Sequence, residues 1–294
     1  MTTATLDNKV RQVVSNIQNL PTPPIVFHQI QKVINDPDCS AAKVAAILAE
    51  DPAMSVKVLK LTNSAFYGLS REVNSVKQAV VIVGIEAIKN LVLSASVLDM
   101  FKGGDIDQEA QEKFWRHSLA TGYCCRILSK KLQARGIIDQ ETAFSAGLLH
   151  DLGKMVFSCF LDKDYKKLKK VRENDRVSQD FELENLTLGY NHAQIGGFLS
   201  VLWKLPQKLG EAISYHHNPH ELKDENPLVN LVHISNYIAK KTFYEQDEQA
   251  FIGHLDSEVL KNMEIEEQQL DVYGEVLREE YLKAETFMKM VGLS

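Results

Sequence analysis

Nine histidines occur in the chain, and five of them fall in an ordered series with one aspartate: His117, His150 followed directly by Asp151, His192, and the pair His216 and His217. Imidazole and carboxylate together suit first-row transition metals such as iron, zinc, manganese or nickel. An adjacent His-Asp pair at a helix end puts two ligands of different character on one ion. Imidazoles from neighbouring helices then complete the shell. A carboxylate can also bridge two ions. Such a pair, roughly 3.5 to 4 Å apart, holds a phosphate and lowers the pKa of a bridging water enough to make a nucleophile near neutral pH.

Each of these residues also has a plainer role open to it. Asp151 alone could be a helix cap and Lys154 a surface charge. His216 and His217 could close a helix, where imidazolium meets the dipole, and the Asn218-Pro219 that follows fits such an end. His28, His220, His233 and His254 stand outside the series and are read as hydrogen-bonded or exposed. Phe66, Tyr67 and Trp203 are assigned to packing rather than to stacking on a base. Gly147, Gly153, Gly196 and Gly197 lack the strand-loop-helix setting and the Gly-Lys-Ser/Thr ending of a phosphate loop, so close helix packing is expected of them. No Gly-x-Ser-x-Gly elbow or other nucleophile arrangement is present.

The elements that must position these groups read as helices almost throughout, because apolar residues recur at three and four. A first helix carries Val10, Val13, Val14 and Ile17 and stops at Leu20-Pro21-Thr22-Pro23-Pro24, where prolines remove donors and extend their predecessors. A second follows Pro24, with Phe27, Ile30 and Ile34. Ser40 caps a third, with Val44, Ile47 and Leu48 inward, and Asp51-Pro52 starts a fourth. Ser75 with Gln78 reads as a capping box, Gly84 ends the short helix it opens, and an apolar helix spans about 86–101. Further helices are expected from near Asp107 past Leu128, over 140–150, through 184–205 as a helix-turn-helix, and over 206–217 and 227–241. Beyond 247, Val272, Val276, Phe287 and Val291 suggest an amphipathic face.

With 294 residues, 45% hydrophobic and 24% charged, the chain is long enough for two lobes and has the composition of a globular protein. No apolar run approaches the roughly 20 residues of a membrane span, and nothing marks residues 1–8 for secretion, so a cytoplasmic location without membrane contact is expected. The formal charge of −6 makes nucleic acid an unlikely partner, since phosphate neutralisation needs a basic face. The run Lys166-Lys167-Leu168-Lys169-Lys170 is read as a solvated helix face. Four cysteines without CxxC spacing, Cys39, Cys124, Cys125 and Cys159, are read as reduced and mostly buried.

The segment Ala146-Gly147-Leu148-Leu149-His150-Asp151-Leu152-Gly153-Lys154 resembles the signature of the HD phosphohydrolase superfamily. The surrounding motifs resemble the HDOD family within it: Leu20 to Pro24, Asp51-Pro52-Ala53, Asn63 to Gly68 and Val83-Gly84-Ile85 in the first half, and Leu188 to His192, Trp203 to Pro206 and Tyr215 to Pro219 in the second. The likeness covers about 20–240. It implies an all-α fold in a bacterial signalling or regulatory protein, with an N-terminal helical lobe (1–105), an HD-like helical bundle (106–241) and a C-terminal helical extension (242–294).

It also implies a ligand set. By likeness to HD-GYP phosphodiesterases, one ion would draw on His117, His150, Asp151 and a final carboxylate, the other on Asp151, His192, His216 and His217. Asp151 and Lys154 would be the catalytic pair, with Lys154 facing the phosphate. Asn236 stands where the final acid is expected, and nothing after His217 resembles the Gly-Tyr-Pro segment associated with cyclic di-GMP hydrolysis. The resemblance thus favours a metal-holding regulator that meets a signalling protein or a small phosphorylated ligand. A metal-dependent phosphohydrolase acting on a nucleotide or cyclic dinucleotide is the alternative. No receiver or output segment accompanies the motifs, so stand-alone action is expected.

Overall fold

Proline and short polar caps divide the first hundred residues into helices, as their spacing requires. The computed structural model describes residues 8–17, 19–34, 36–65, 67–101, 108–133, 136–173, 179–244 and 253–290. Among them every regular element is helical. Helix α1 (Asn8–Ser15) buries Val10 and Val14, one turn apart. Helix α2 (Ile25–Ile34) follows the prolines and buries Phe27 and Ile30. Helix α3 (Ala41–Ala49) is capped by the Ser40 side chain, which accepts from the Lys43 amide at 3.3 Å. Helix α4 (Pro52–Thr62) is capped by Asp51, which accepts from the Met54 amide at 2.9 Å. Helix α5 (Val76–Val83) starts at Ser75, whose hydroxyl accepts from the Gln78 amide. The Gln78 side chain returns to the amide of Asn74, one residue before the cap. Gly84, at φ 92°, takes a backbone that a side chain would resist, and helix α6 (Ile85–Met100) departs from there.

The second half is organised by helix α7 (Gln108–Gln133), 26 residues long, lying along helix α8 (Gln140–Leu149). Their backbones approach closely at Gly147, where a Cβ would stand 2.7 Å from the Thr121 carbonyl oxygen. Helix α9 (Leu152–Phe160) and helix α10 (Asp162–Arg172) come next, then helix α11 (Asp180–Leu188) and helix α12 (His192–Leu202). Helix α13 (Gln207–Tyr215) and helix α14 (Pro227–Tyr244) complete the bundle, α14 packing on α7, α8 and α13. Trp115 and Trp203 are both buried.

Helix α9 was not foreseen, and α10 only as the helix face read for the basic run. Helix α9 buries Leu152, Met155, Val156 and Phe157 at helical spacing, but it begins two residues after the previous helix ends, so a reading that closes an element at His150 passes over it. Helix α10 fully buries no residue, and its apolar Tyr165 and Leu168 are half-buried. Its charges suit its ends, with Asp162 and Asp164 in the first turn, Lys169, Lys170 and Arg172 in the last, and a Lys166–Asp162 pair at 2.9 Å, and it packs on α9 and α11. The basic run accordingly lies on a helix that faces water.

Near the C-terminus are helix α15 (Ser257–Asn262) and helix α16 (Gln269–Met290). The inward face of α16 carries Leu270, Gly274 and Leu277, at helical spacing, while Val272 and Val276 are exposed. The valine face expected from sequence is thus turned outward, because Gly274 lets α16 approach Thr242 of α14. The Phe287 side chain and Val291 lie outside the described residues.

Contacts divide the chain into two units, one of residues 1–20 with 103–278 and one of 21–102 with 279–294. Residues 1–20 join the later helices because α1 packs on α12, with the Lys9 Nζ donating to the Leu188 carbonyl at 2.6 Å. Residues 253–278 join them through α15 on α14 and the buried Met263, Ile265, Leu270 and Leu277. Among the described residues no single helix is long and apolar enough to cross a membrane. The segments Val76–Val83 and Ile85–Val97 reach that apolarity only together, across a 117° bend. All four cysteines are free, with Cys124 and Cys125 buried and Cys39 and Cys159 half-buried.

Candidate metal centre

Helix ends deliver the chemistry. His150 closes α8, and Asp151 precedes the first residue of α9. Asp151 holds an N-cap position yet makes no side-chain cap bond, so its carboxylate is left for other partners. His192 is the first residue of α12, behind the Asn191 cap, and His216 closes α13. His117 comes from the interior of α7. All six residues of the series converge within one unit, in two groups that share Asp151: His117 with His150, and His192 with His216 and His217. Within each group the potential ligand atoms lie within 4.8 Å of one another.

The Asp151 carboxylate divides its oxygens between the groups. Its Oδ2 lies 3.3 Å from His150 Nε2 and 3.7 Å from His117 Nε2. Its Oδ1 lies 3.0 Å from His192 Nε2 and 3.5 Å from His216 Nε2. His217 Nε2 is 3.0 Å from His192 Nε2. Phe181 stacks on the His217 ring, with centroids 4.3 Å apart. Lys154 Nζ is 2.9 Å from Asp151 Oδ2.

The ring orientations are fixed from behind. His150 Nδ1 donates to the Gly147 carbonyl at 2.7 Å, and His216 Nδ1 to the Ile213 carbonyl at 2.9 Å. Each ring thereby satisfies a carbonyl orphaned at a helix C-terminus and turns Nε2 the other way. His192 Nδ1 donates to Glu184 Oε2 at 2.6 Å, and the same oxygen accepts the His192 amide at 2.7 Å. Gly153 makes room for this, since a Cβ there would fall 1.9 Å from the His192 carbonyl oxygen.

Burial acts on every charge here. It drives His117 and His217 well below the ordinary imidazole value, helped by neighbouring histidines, and takes His216 down to about 3. Neutral imidazole is the ligand form. His192 goes the other way, to about 9, because Glu184 and Asp151 outweigh its burial. Burial pushes the Asp151 carboxyl up, but His150 and Lys154 together hold it well below the usual carboxylate range. It is thus an anion in a buried place.

Whether these residues fit a metal is tested by their unused valences. Buried polar atoms nearly always find partners, yet His117 Nε2, His150 Nε2, His216 Nε2 and Asp151 Oδ1 have no hydrogen bond of acceptable geometry. They are the atoms that face the centre. Divalent cations in the two groups would satisfy them, and the donor set of imidazoles with one carboxylate suits iron, zinc, manganese or nickel.

A family model described as the HDOD domain matches residues 20–219. The chain belongs to the HDOD family. Two crystal structures share the HDOD fold found here. An HDOD domain protein of unknown function from Geobacter sulfurreducens has a TM-score of 0.73 at 22% identity, with 99% of this chain and 98% of that one covered. A protein from Shewanella amazonensis SB2B, provisionally named a phosphohydrolase, gives 0.71 at 22%, with 99% of each covered. An uncharacterised protein of Treponema pallidum (strain Nichols) is 28% identical over 239 residues, 80% of this chain and 45% of its own length. The chain spans less than half the length of the curated relatives it matches.

In this HDOD chain Asn236 is buried on α14, and its Oδ1 also lacks a hydrogen-bond partner. Four further residues act at the site without belonging to the histidine series. Glu184 orients His192. Asp180 joins Lys154 to Arg172, at 2.9 and 2.6 Å. Lys154 holds the Asp180 carboxyl well below its usual range. Lys240, one turn after Asn236, is pushed down by burial and by the Lys154 charge. A carboxylate at a helix start and a lysine four residues past an expected ligand give no sequence signal of their own. The Glu184–His192 spacing of eight becomes informative only once a tight turn between α11 and α12 is known. Of the histidines outside the series, His233 donates to the His216 carbonyl at 2.8 Å and His220 pairs with Asp256 at 2.5 Å.

Proposed function

We propose that this HDOD protein is a bacterial signal-transduction protein in which Asp151, His192, His216 and His217 hold one divalent transition-metal ion. In this reading the ion serves structure or ligand sensing, and output passes through contacts with a signalling protein in the cytoplasm. The observation that supports it is the convergence of Asp151, His192, His216 and His217, with Asp151 Oδ1 and His216 Nε2 buried and lacking hydrogen-bond partners. An ion bound there supplies Lewis acidity and can lower the pKa of a water. The chain's own residues then have distinct tasks. Glu184 keeps the His192 ring in register. Asp151 joins the two groups through its two oxygens. Lys154, partly open to solvent and 2.9 Å from that carboxylate, offers a cation to an arriving phosphate.

A second reading makes the chain a metal-dependent phosphohydrolase, with Asp151 and Lys154 as its catalytic pair and His117 and His150 contributing to a second ion. The shared carboxylate favours it. Asn236 weighs against it, because a neutral amide is a poorer ligand than the carboxylate expected there. Elemental analysis of chain purified without chelator, with an assay on bis-p-nitrophenyl phosphate, separates the two. About one ion per chain without turnover is expected. Turnover that disappears in Asp151→Ala would establish hydrolysis instead, and a metal-free chain would remove both readings.

A further inference from the structure

Beside the metal centre, α9, α10 and α11 enclose a pocket of about 200 Å³ whose wall includes Lys154, Arg172 and Asp180. Its floor is apolar, with the Phe157 and Tyr165 rings and the Leu168 and Leu183 side chains. The polar wall has an unusual arrangement. Asp180 gives one oxygen to Lys154 Nζ at 2.9 Å and the other to Arg172 Nη2 at 2.6 Å. Lys154 in turn reaches Asp151. A two-oxygen anion thus joins two cations at the mouth of an apolar cavity, next to a candidate metal site.

We propose that this pocket binds a phosphomonoester carrying one flat aromatic group, of the size of a nucleoside monophosphate, and that Asp180 occupies the phosphate position until the ligand arrives. The proposal extends the metal-centre reading through Lys154, although the pocket itself needs no ion. Two considerations support it. A phosphate presents paired oxygens to lysine and arginine as a carboxylate does, and arginine favours such bidentate geometry. The Asp180 side chain is 46% exposed, so it has open solvent to swing into.

The volume limits the ligand. Pockets for drug-sized molecules run roughly 300 to 1,000 Å³, so this one takes a single ring system and leaves any second nucleotide outside. Aromatic lining suits a base, and the ring edges of Phe157 and Tyr165 offer stacking or edge contacts.

The test is calorimetric titration of the full chain with AMP, GMP, adenosine and inorganic phosphate, on chelator-treated and metal-loaded samples. A nucleoside monophosphate should bind about tenfold or more tighter than either adenosine or phosphate. Asp180→Asn should tighten nucleotide and phosphate binding by about tenfold and leave adenosine unchanged, whereas Arg172→Gln should weaken the nucleotide similarly. A nucleotide that binds no better than its parts, or an affinity indifferent to Asp180→Asn, overturns the proposal. Circular dichroism of each variant establishes that it is folded. Metal content, measured on the same samples, reports on the metal-centre reading separately: a metal-loaded sample that retains no metal yet binds nucleotide would sink that reading and leave this one standing.

Discussion

Glu184 accepts two hydrogen bonds from one residue, the ring Nδ1 and the amide of His192, and this defines what a single side chain contributes at the centre. Partners of this kind typically affect metal affinity by about 10 to 100-fold. Glu184→Gln should therefore weaken zinc binding by roughly that factor in a competition titration against a chelating dye, while Asp151→Ala should abolish it. Asn236 supports a different expectation. Replacing it with aspartate supplies the missing acid, and elemental analysis of Asn236→Asp should rise from about one to about two ions per chain. The histidine series was legible in sequence because imidazole is scarce, so five histidines in order, with one aspartate beside them, stand out against the rest. Glu184, Asp180 and Lys240 were not legible, because carboxylates and lysines are abundant on helices. Only the fold shows that these three gather around Lys154 and His192.

Among the elements, the starts and stops written in short polar residues and prolines appear where their chemistry places them: Ser40, Asp51 and Ser75 each cap a helix. Asp51→Ala should lower stability by about 1 kcal/mol, visible as an earlier thermal unfolding midpoint. The elements that sequence reasoning passed over fail for physical reasons. Helix α10 has no fully buried residue, so only its basic run was read as a helix face, and α9 follows α8 so closely that the intervening ligands hid its beginning. Gly153 shows how an element positions a ligand. Because α9 and α12 meet with no room for a Cβ at this position, Gly153→Ala must displace the start of α12, and His192 with it. A loss of about 1 to 3 kcal/mol in denaturant unfolding is expected, accompanied by weaker metal retention. A variant as stable as the parent, with unchanged retention, would mean the helices do not meet this tightly.

At the scale of the whole molecule, the all-α class was readable from periodicity, but the division of the chain was not. A boundary near 103–105 follows from a pair of glycines. The return of α1 to α12, and of residues 253–278 to α14, depends on contacts between segments far apart in sequence, which no local pattern encodes. The unit that gathers these segments also buries the imidazoles and the Asp151 carboxylate. An ion bound to the folded form alone stabilises it by mass action, about 2.7 kcal/mol when its free concentration is 100 times the dissociation constant. Chelation should accordingly lower the thermal midpoint of the parent chain and leave that of Asp151→Ala unmoved.

The central claim is that Asp151 and the imidazoles at the start of α12 and the end of α13 surround one cation, and anomalous diffraction tests it directly. Crystals grown with zinc, with data collected on either side of its absorption edge, should show a strong peak bonded to Asp151, His192 and His216. A map with no peak among these side chains, or with zinc only on surface histidines such as His220, would contradict it.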